Sequence, residues 1–291
     1  MYQEVAFDPQ CLGEYHYYGL LKERFGFEAG RYVVAPVKEW VKEAYQSVQE
    51  SETMQPIKKK SVKNFLNKLL KSKNNSFVIL PLPRKGLTFD NWQSWYEKQH
   101  QESPFYVVVS ERVLGALDYD SLIDGHVSWS IPPTICINKS APEIAKILKP
   151  LLKLSDTVYL VDQYFSLANN QVLQAIFEMI EKDGTVKNFH LITSVDTKNP
   201  KRVFINEYSS NFKFMPKFSL TVVPQKFFHD RYLISNIGAI KAGHGFSEGV
   251  TQGAQADKLS LNICSKHESN DVIKQLEKII NTKQAAITYL N

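Results

Sequence analysis

Long apolar runs, paired cysteines and, over one early stretch, acidic residues are what this 291-residue sequence is short of. No stretch approaches the roughly 18 apolar residues of a membrane span. The opening MYQEVAFDPQ lacks the basic start and apolar run of a signal peptide, so the expected location is cytoplasmic. Three cysteines, Cys11, Cys136 and Cys264, lie far apart without C-x-x-C spacing, so neither a disulfide framework nor a zinc site is suggested; all three are expected to be buried apolar residues. There is no Gly-rich phosphate loop, zinc-protease helix or nucleophile elbow. Nucleotide hydrolysis, metalloprotease and esterase chemistry lose their support, and neither metal nor cofactor is expected.

Hydrophobic residues make up 43% and charged residues 22%, a globular composition, and the length suits two domains of ordinary size. The formal charge of +5 is modest, but its distribution is uneven. No acid falls between Thr53 and Phe89, whereas Lys58, Lys59, Lys60, Lys63, Lys68, Lys71, Lys73, Arg84 and Lys85 all do. Within this stretch Val62, Phe65, Leu66, Leu69 and Leu70 recur at helical spacing and leave the lysines on the other faces. A helix without interleaved acids reads equally as a solvated face or as a contact for nucleic acid or an anionic membrane; Lys58, Lys59, Lys60 and Lys63 are the candidate contacts. Trp92, Trp95 and Tyr96 are read as core residues rather than base-stacking platforms.

The predicted fold class is α/β: an N-terminal α/β domain over 1–138 and a second α/β domain over 139–291. In the first half, Ser76–Leu80 and Phe105–Val109 read as strands around a helix at Asn91–His100, an alternation that favours parallel pairing. Residues 119–137, with Pro132-Pro133, read as a connection. Beyond Lys139 the periodicity gives a helix at Pro142–Leu154, a strand at Val158–Asp162 and a helix at Asn170–Lys182. Strands are then expected at Asn188–Ser194, Phe218–Val223, Arg231–Ile234, Ala239–Gly243 and Leu259–Cys264. A short helix at Phe204–Phe212 and a final one at Glu268–Ile280 complete the pattern.

The chemistry concentrates in FFHDRYLISN, Phe227 to Asn236, followed by IGAIKAGHGFS to Ser247. Placed on a strand, His229 and Arg231 would share one face and one pocket. The segment resembles the phospholipase D superfamily signature H-x-K-x-x-x-x-D with its following glycine-rich strand. His229 matches the histidine position, Arg231 the lysine position and Asn236 the aspartate position. The resemblance implies an imidazole that attacks phosphorus, a basic group that neutralises the phosphoryl oxygens, and a second imidazole from another copy of the motif.

Three departures count against catalysis. Arginine replaces lysine, Asn236 removes a carboxylate, and Gly243-His244-Gly245-Phe246 lacks the family's small hydroxyl and amide. From Lys139 onward the chain is similar to the phospholipase D-like C-terminal domain of MIT-domain proteins. That likeness implies a phosphate- and membrane-binding descendant, with bacterial relatives in phage-defence gene sets. Asp162, Tyr164, Lys241, Gly243, His244 and Ser247 are the accompanying phosphate-site candidates. Asp162 reads equally well as the cap of a turn, and His244 as an exposed turn residue.

Three functions are therefore expected, in order: a phage-defence component binding phosphodiester backbones, with nucleic acid and a protein partner or a second copy; a metal-independent nuclease using His229; and a peripheral membrane-binding adaptor.

Overall fold

The structure, a computed structural model, describes residues 1–71, 77–86, 89–248 and 257–291; the expected strand residue Ser76 and the basic residue Lys73 lie outside the described residues. The chain forms two compact units, Tyr2–Ile131 and Pro132–Asn291, and both are α/β.

The first unit contains β1 (Gln3–Phe7), α1 (Tyr15–Arg24), β2 (Arg31–Val34), α2 (Val37–Glu50), α3 (Pro56–Lys71), β3 (Val78–Ile79), α4 (Trp92–Glu102), β4 (Val107–Val109) and α5 (Tyr119–Ile123). Its sheet has the order β3-β2-β1-β4, and every pair is parallel. β1 and β2 are buried at every residue, so they carry no in-out alternation for a sequence pattern to reveal. Trp92, Trp95 and Tyr96 of α4 are buried, as expected for core. The capping box at Asn91, whose side chain accepts from Ser94 N while Ser94 Oγ accepts from Asn91 N, fixes where α4 starts. One member of the basic stretch leaves the surface altogether: Arg84 is buried, paired with Glu4 at 2.8 Å and set over the Phe105 ring.

The second unit contains β5 (Thr134–Asn138), α6 (Ala141–Leu154), β6 (Thr157–Val161), α7 (Gln171–Asp183), β7 (Asn188–Thr193), α8 (Pro200–Phe204), β8 (Lys217–Val222), β9 (Arg231–Ser235), β10 (Ala239–Ala242), β11 (Lys258–Ile263), α9 (Lys266–Asn281) and β12 (Ile287–Tyr289). One eight-stranded mixed sheet runs β12-β8-β7-β6-β9-β10-β11-β5. Phe177, Phe189, Phe204, Tyr208 and Phe218 form its aromatic core against α7 and α8, with Phe204 and Phe218 stacked at 4.9 Å. Truncating one of these phenylalanines to alanine is expected to cost about 3–5 kcal/mol.

The division between units falls before Pro132 rather than at Lys139. Residues 134–138 are not a connection: they pair antiparallel with β11, from Asn138 opposite Lys258 to Thr134 opposite Asn262. This edge strand also leaves Cys136 exposed, whereas Cys11 and Cys264 are buried.

Candidate anion site at the sheet edge

Topology brings the ends of distant segments to one edge of the large sheet. β6, β7 and β8 run parallel and finish there. β9 runs against β6 with Tyr232 opposite Val161, so Arg231 starts level with the end of β6. β10 returns with Ala242 opposite Arg231, which carries Gly243 and His244 to the same edge, and Lys139 follows the last residue of β5 there. This is the carboxyl end of the parallel strands, the place where open α/β sheets hold their ligands.

At its centre Asp162, buried, follows β6 and accepts hydrogen bonds from Tyr164 N at 3.0 Å and Phe246 N at 2.7 Å. Burial pushes its pKa up, against the two backbone donors and the positive charges of Arg231 and Lys139. Burial lowers the Lys139 pKa, helped by Arg231 and opposed by Asp162. Lys139 Nζ also donates to His244 O at 2.7 Å. The Arg231 guanidinium lies over the Tyr164 ring, 5.5 Å from its centroid. Gly245 is required here: its φ is +81°, and a Cβ would come within 2.6 Å of Asp162 Oδ2.

Two cations thus share one buried carboxylate, and neither neutralises it by direct pairing among the described contacts. Among the described residues three buried side-chain donor or acceptor atoms have no hydrogen-bond partner: Trp92 Nε1, Ser194 Oγ and Arg231 Nε. The last two belong to this edge, since Ser194 N donates to Gln163 O, next to Asp162. A buried unsatisfied group costs about 1–3 kcal/mol, more when charged.

The sequence-based candidates sort accordingly. Arg231, Asp162, Tyr164, Gly243 and His244 come together. His229 is exposed, sits in the turn before β9 rather than on it, and has no partner among the described residues; the strand alternation that tied it to Arg231 does not reach it. Asn236 is removed from the site. It occupies the β9–β10 turn at the opposite end of the strand, where its Oδ1 accepts from Asp156 N at 3.1 Å. Lys241 is removed as well: cross-strand from Tyr232, it pairs with Asp230 and Glu268, each at 2.9 Å, and these partners raise its pKa against burial. Ser247 is half-buried just past Gly245. Lys139 was missed as a site residue, because its role depends on a pairing between β5 and β11 that no local pattern announces.

On α3, Lys58 and Lys63 lie over the rings of Tyr15 and Tyr45 at 4.9 and 4.8 Å, Lys59 Nζ donates to Gln49 O at 3.0 Å, and Lys60 is exposed. Among the described residues none of the four forms an ion pair. No helix among the described residues is long and apolar enough to cross a membrane, and no described group of His, Cys, Asp and Glu could hold a metal ion.

No family model matches the chain. No curated protein matches it either. Among solved structures it has a slight likeness to TrmBL2, described as an archaeal chromatin protein that shows a novel mode of DNA binding, at 15% identity and a TM-score of 0.29. The match covers 54% of this chain and 54% of that one, so the chain spans about half the length of the structure it matches. A likeness this slight carries no functional conclusion.

Proposed function

We propose that the second unit is a phosphodiester-binding module of phospholipase D type, adapted to hold rather than cleave, and that its ligand is nucleic acid. The observation that carries this is the buried, unpartnered Nε of Arg231, set beside Lys139 over a single carboxylate. An anionic phosphoryl oxygen accepts from Arg231, and Lys139 adds charge without a fork to orient. The lysines of α3, which form no ion pair among the described residues, supply a second, sequence-independent attraction. The resemblance implies a phage-defence setting, which belongs to the same proposal.

Fluorescence anisotropy with a single-stranded oligonucleotide at low salt tests it. Arg231→Ala and Lys139→Ala are each expected to weaken binding about tenfold, the order of one charge-assisted contact. Exchange of Lys58, Lys59, Lys60 and Lys63 for glutamate should remove binding at moderate salt. Wild-type affinity in Arg231→Ala would sink the proposal.

One observation favours a catalytic second reading: His229 lies two residues before β9 and His244 two residues after β10, strand ends that meet where Arg231 faces Ala242. Two imidazoles in one chain would meet the need for a nucleophile and a separate acid. Cleavage of DNA or RNA in chelator, lost in His229→Asn, would establish this reading over simple binding.

A further inference from the structure

We propose that the cleft between α8 and β12 is a second contact point for single-stranded nucleic acid, so that one strand runs along the sheet edge from Arg231 past Ser194 to α8. This rests on the phosphodiester-binding reading and gives that site a direction and a substrate form. The cleft measures about 710 Å³ and is lined by Asn199, Pro200, Lys201, Arg202, Ile205, Asn206 and Thr288. That volume lies within the range of ordinary ligand pockets.

Placement comes from the fold. Residues 194–199 leave the sheet at the carboxyl end of β7 and lead directly into α8. Thr288 faces Leu220, close to the carboxyl end of β8. The cleft therefore flanks the edge that holds Arg231, with Ser194 and its unpartnered Oγ between them. From β9 to β12 there are four strand spacings, which at about 4.8 Å each amount to roughly 19 Å. At the stacked spacing of about 3.4 Å that is five or six nucleotides, beyond the reach of a dinucleotide.

The lining fits a nucleotide. Lys201 and Arg202 are exposed cations, and no carboxylate lines the cleft. Pro200 and the exposed side of Ile205 offer an apolar wall for a base, while Asn199 and Asn206 provide amides able to donate and accept at its edge. Of the nearest acids on the chain, Glu207 accepts from Asn169 N at 2.6 Å, and Asp196 is exposed on the segment that leads to α8. Backbone geometry is unusual on both sides, with Asn199 in the left-handed region at φ +54° and a π-helical turn at Ile205–Ser209. Such features collect where a surface is shaped for binding.

The test compares a ten-nucleotide single strand with inorganic sulfate, using calorimetry and anisotropy on the full chain. In Lys201→Glu/Arg202→Glu the ten-nucleotide strand is expected to bind at least tenfold more weakly, and the slope of log K against log salt to become shallower by about 1.4, two contacts at about 0.7 each. Sulfate binding at Arg231 should be unchanged, which also shows that the fold is intact. Wild-type affinity and slope for the ten-nucleotide strand in this variant, with Arg231→Ala still defective, would overturn the path across α8 and leave the phosphate site standing. If Arg231→Ala binds normally, both readings fall.

Discussion

Each unit places a buried aspartate just past a central strand and an arginine beside it, yet the two sites end differently. In the first unit Asp8 follows β1, where the strand order reverses between β1 and β4. It accepts from Arg112 Nε at 2.6 Å, Arg112 Nη2 at 3.2 Å, Ser110 Oγ at 2.7 Å and Gln10 N at 3.0 Å. Its lone pairs are taken and its charge is met. In the second unit Asp162 receives backbone donors, while Arg231 keeps a buried N–H without a partner. The same local plan is closed in one place and open in the other, and only the open one has capacity left for a ligand.

The contrast predicts unequal responses to the same substitution. Arg112→Met strands the Asp8 carboxylate in the interior and is expected to cost about 3 kcal/mol in urea unfolding. A loss below about 1 kcal/mol would mean that the Asp8 site is not closed by its arginine. Next in size is Gly245→Ala, expected to cost about 2 kcal/mol through its positive φ and the collision with Asp162. Gly243→Ala is the matched control. Its nearest neighbour would be 3.7 Å away and its φ is ordinary, so it should be close to neutral; equal losses at the two glycines would remove the special status of the Asp162 cradle.

A smaller effect concerns pH. Because burial raises the Asp162 pKa above its ordinary 3.8, the folded protein binds this proton more tightly than the unfolded chain. Between 3.8 and the raised folded value, the contribution of this group to stability falls as pH rises. Asp162→Asn should therefore compare more favourably with wild type at pH 7 than at pH 4. Protonation also removes the counter-charge to Arg231 and Lys139, so sulfate, whose own charge is constant over this range, should bind more tightly as pH falls. Binding that weakens on acidification would contradict that electrostatic arrangement. The last expectation is that Arg231→Met does not lower stability, since no formed hydrogen bond of Nε is lost and a buried donor without a partner is removed. A cost like that of Arg112→Met would show that Arg231 is structural.

Where the sequence carried a period, the elements were legible. The helices expected at Pro142–Leu154 and Asn170–Lys182 correspond to α6 and α7, and the strands expected from Val158 to Cys264 to β6 through β11, within a residue or two at each end. β1 went unread because a strand buried on both faces shows no alternation, and β5 because it follows two prolines and its partner is far away in sequence. The candidate site shows the same limit. Arg231 and Asp162 stand out locally, but a linear motif gave Asn236 and Lys241 the same weight, although one sits at the opposite end of β9 and the other is held by two carboxylates. Nothing local marked Lys139, whose position depends on which strand its neighbours pair with.

That pairing also sets a timetable. β5 is synthesised first among the strands of its sheet, yet Asn138 meets Lys258 only after a separation of 120 residues. Closing so long a loop is slow relative to forming local helices. Lys139 can take its place beside Arg231 only once β11 has been made and docked, so the ability to hold an anion arrives late in folding. A nascent chain stopped short of β11 would already contain Asp162 and Arg231 and still lack the assembled site.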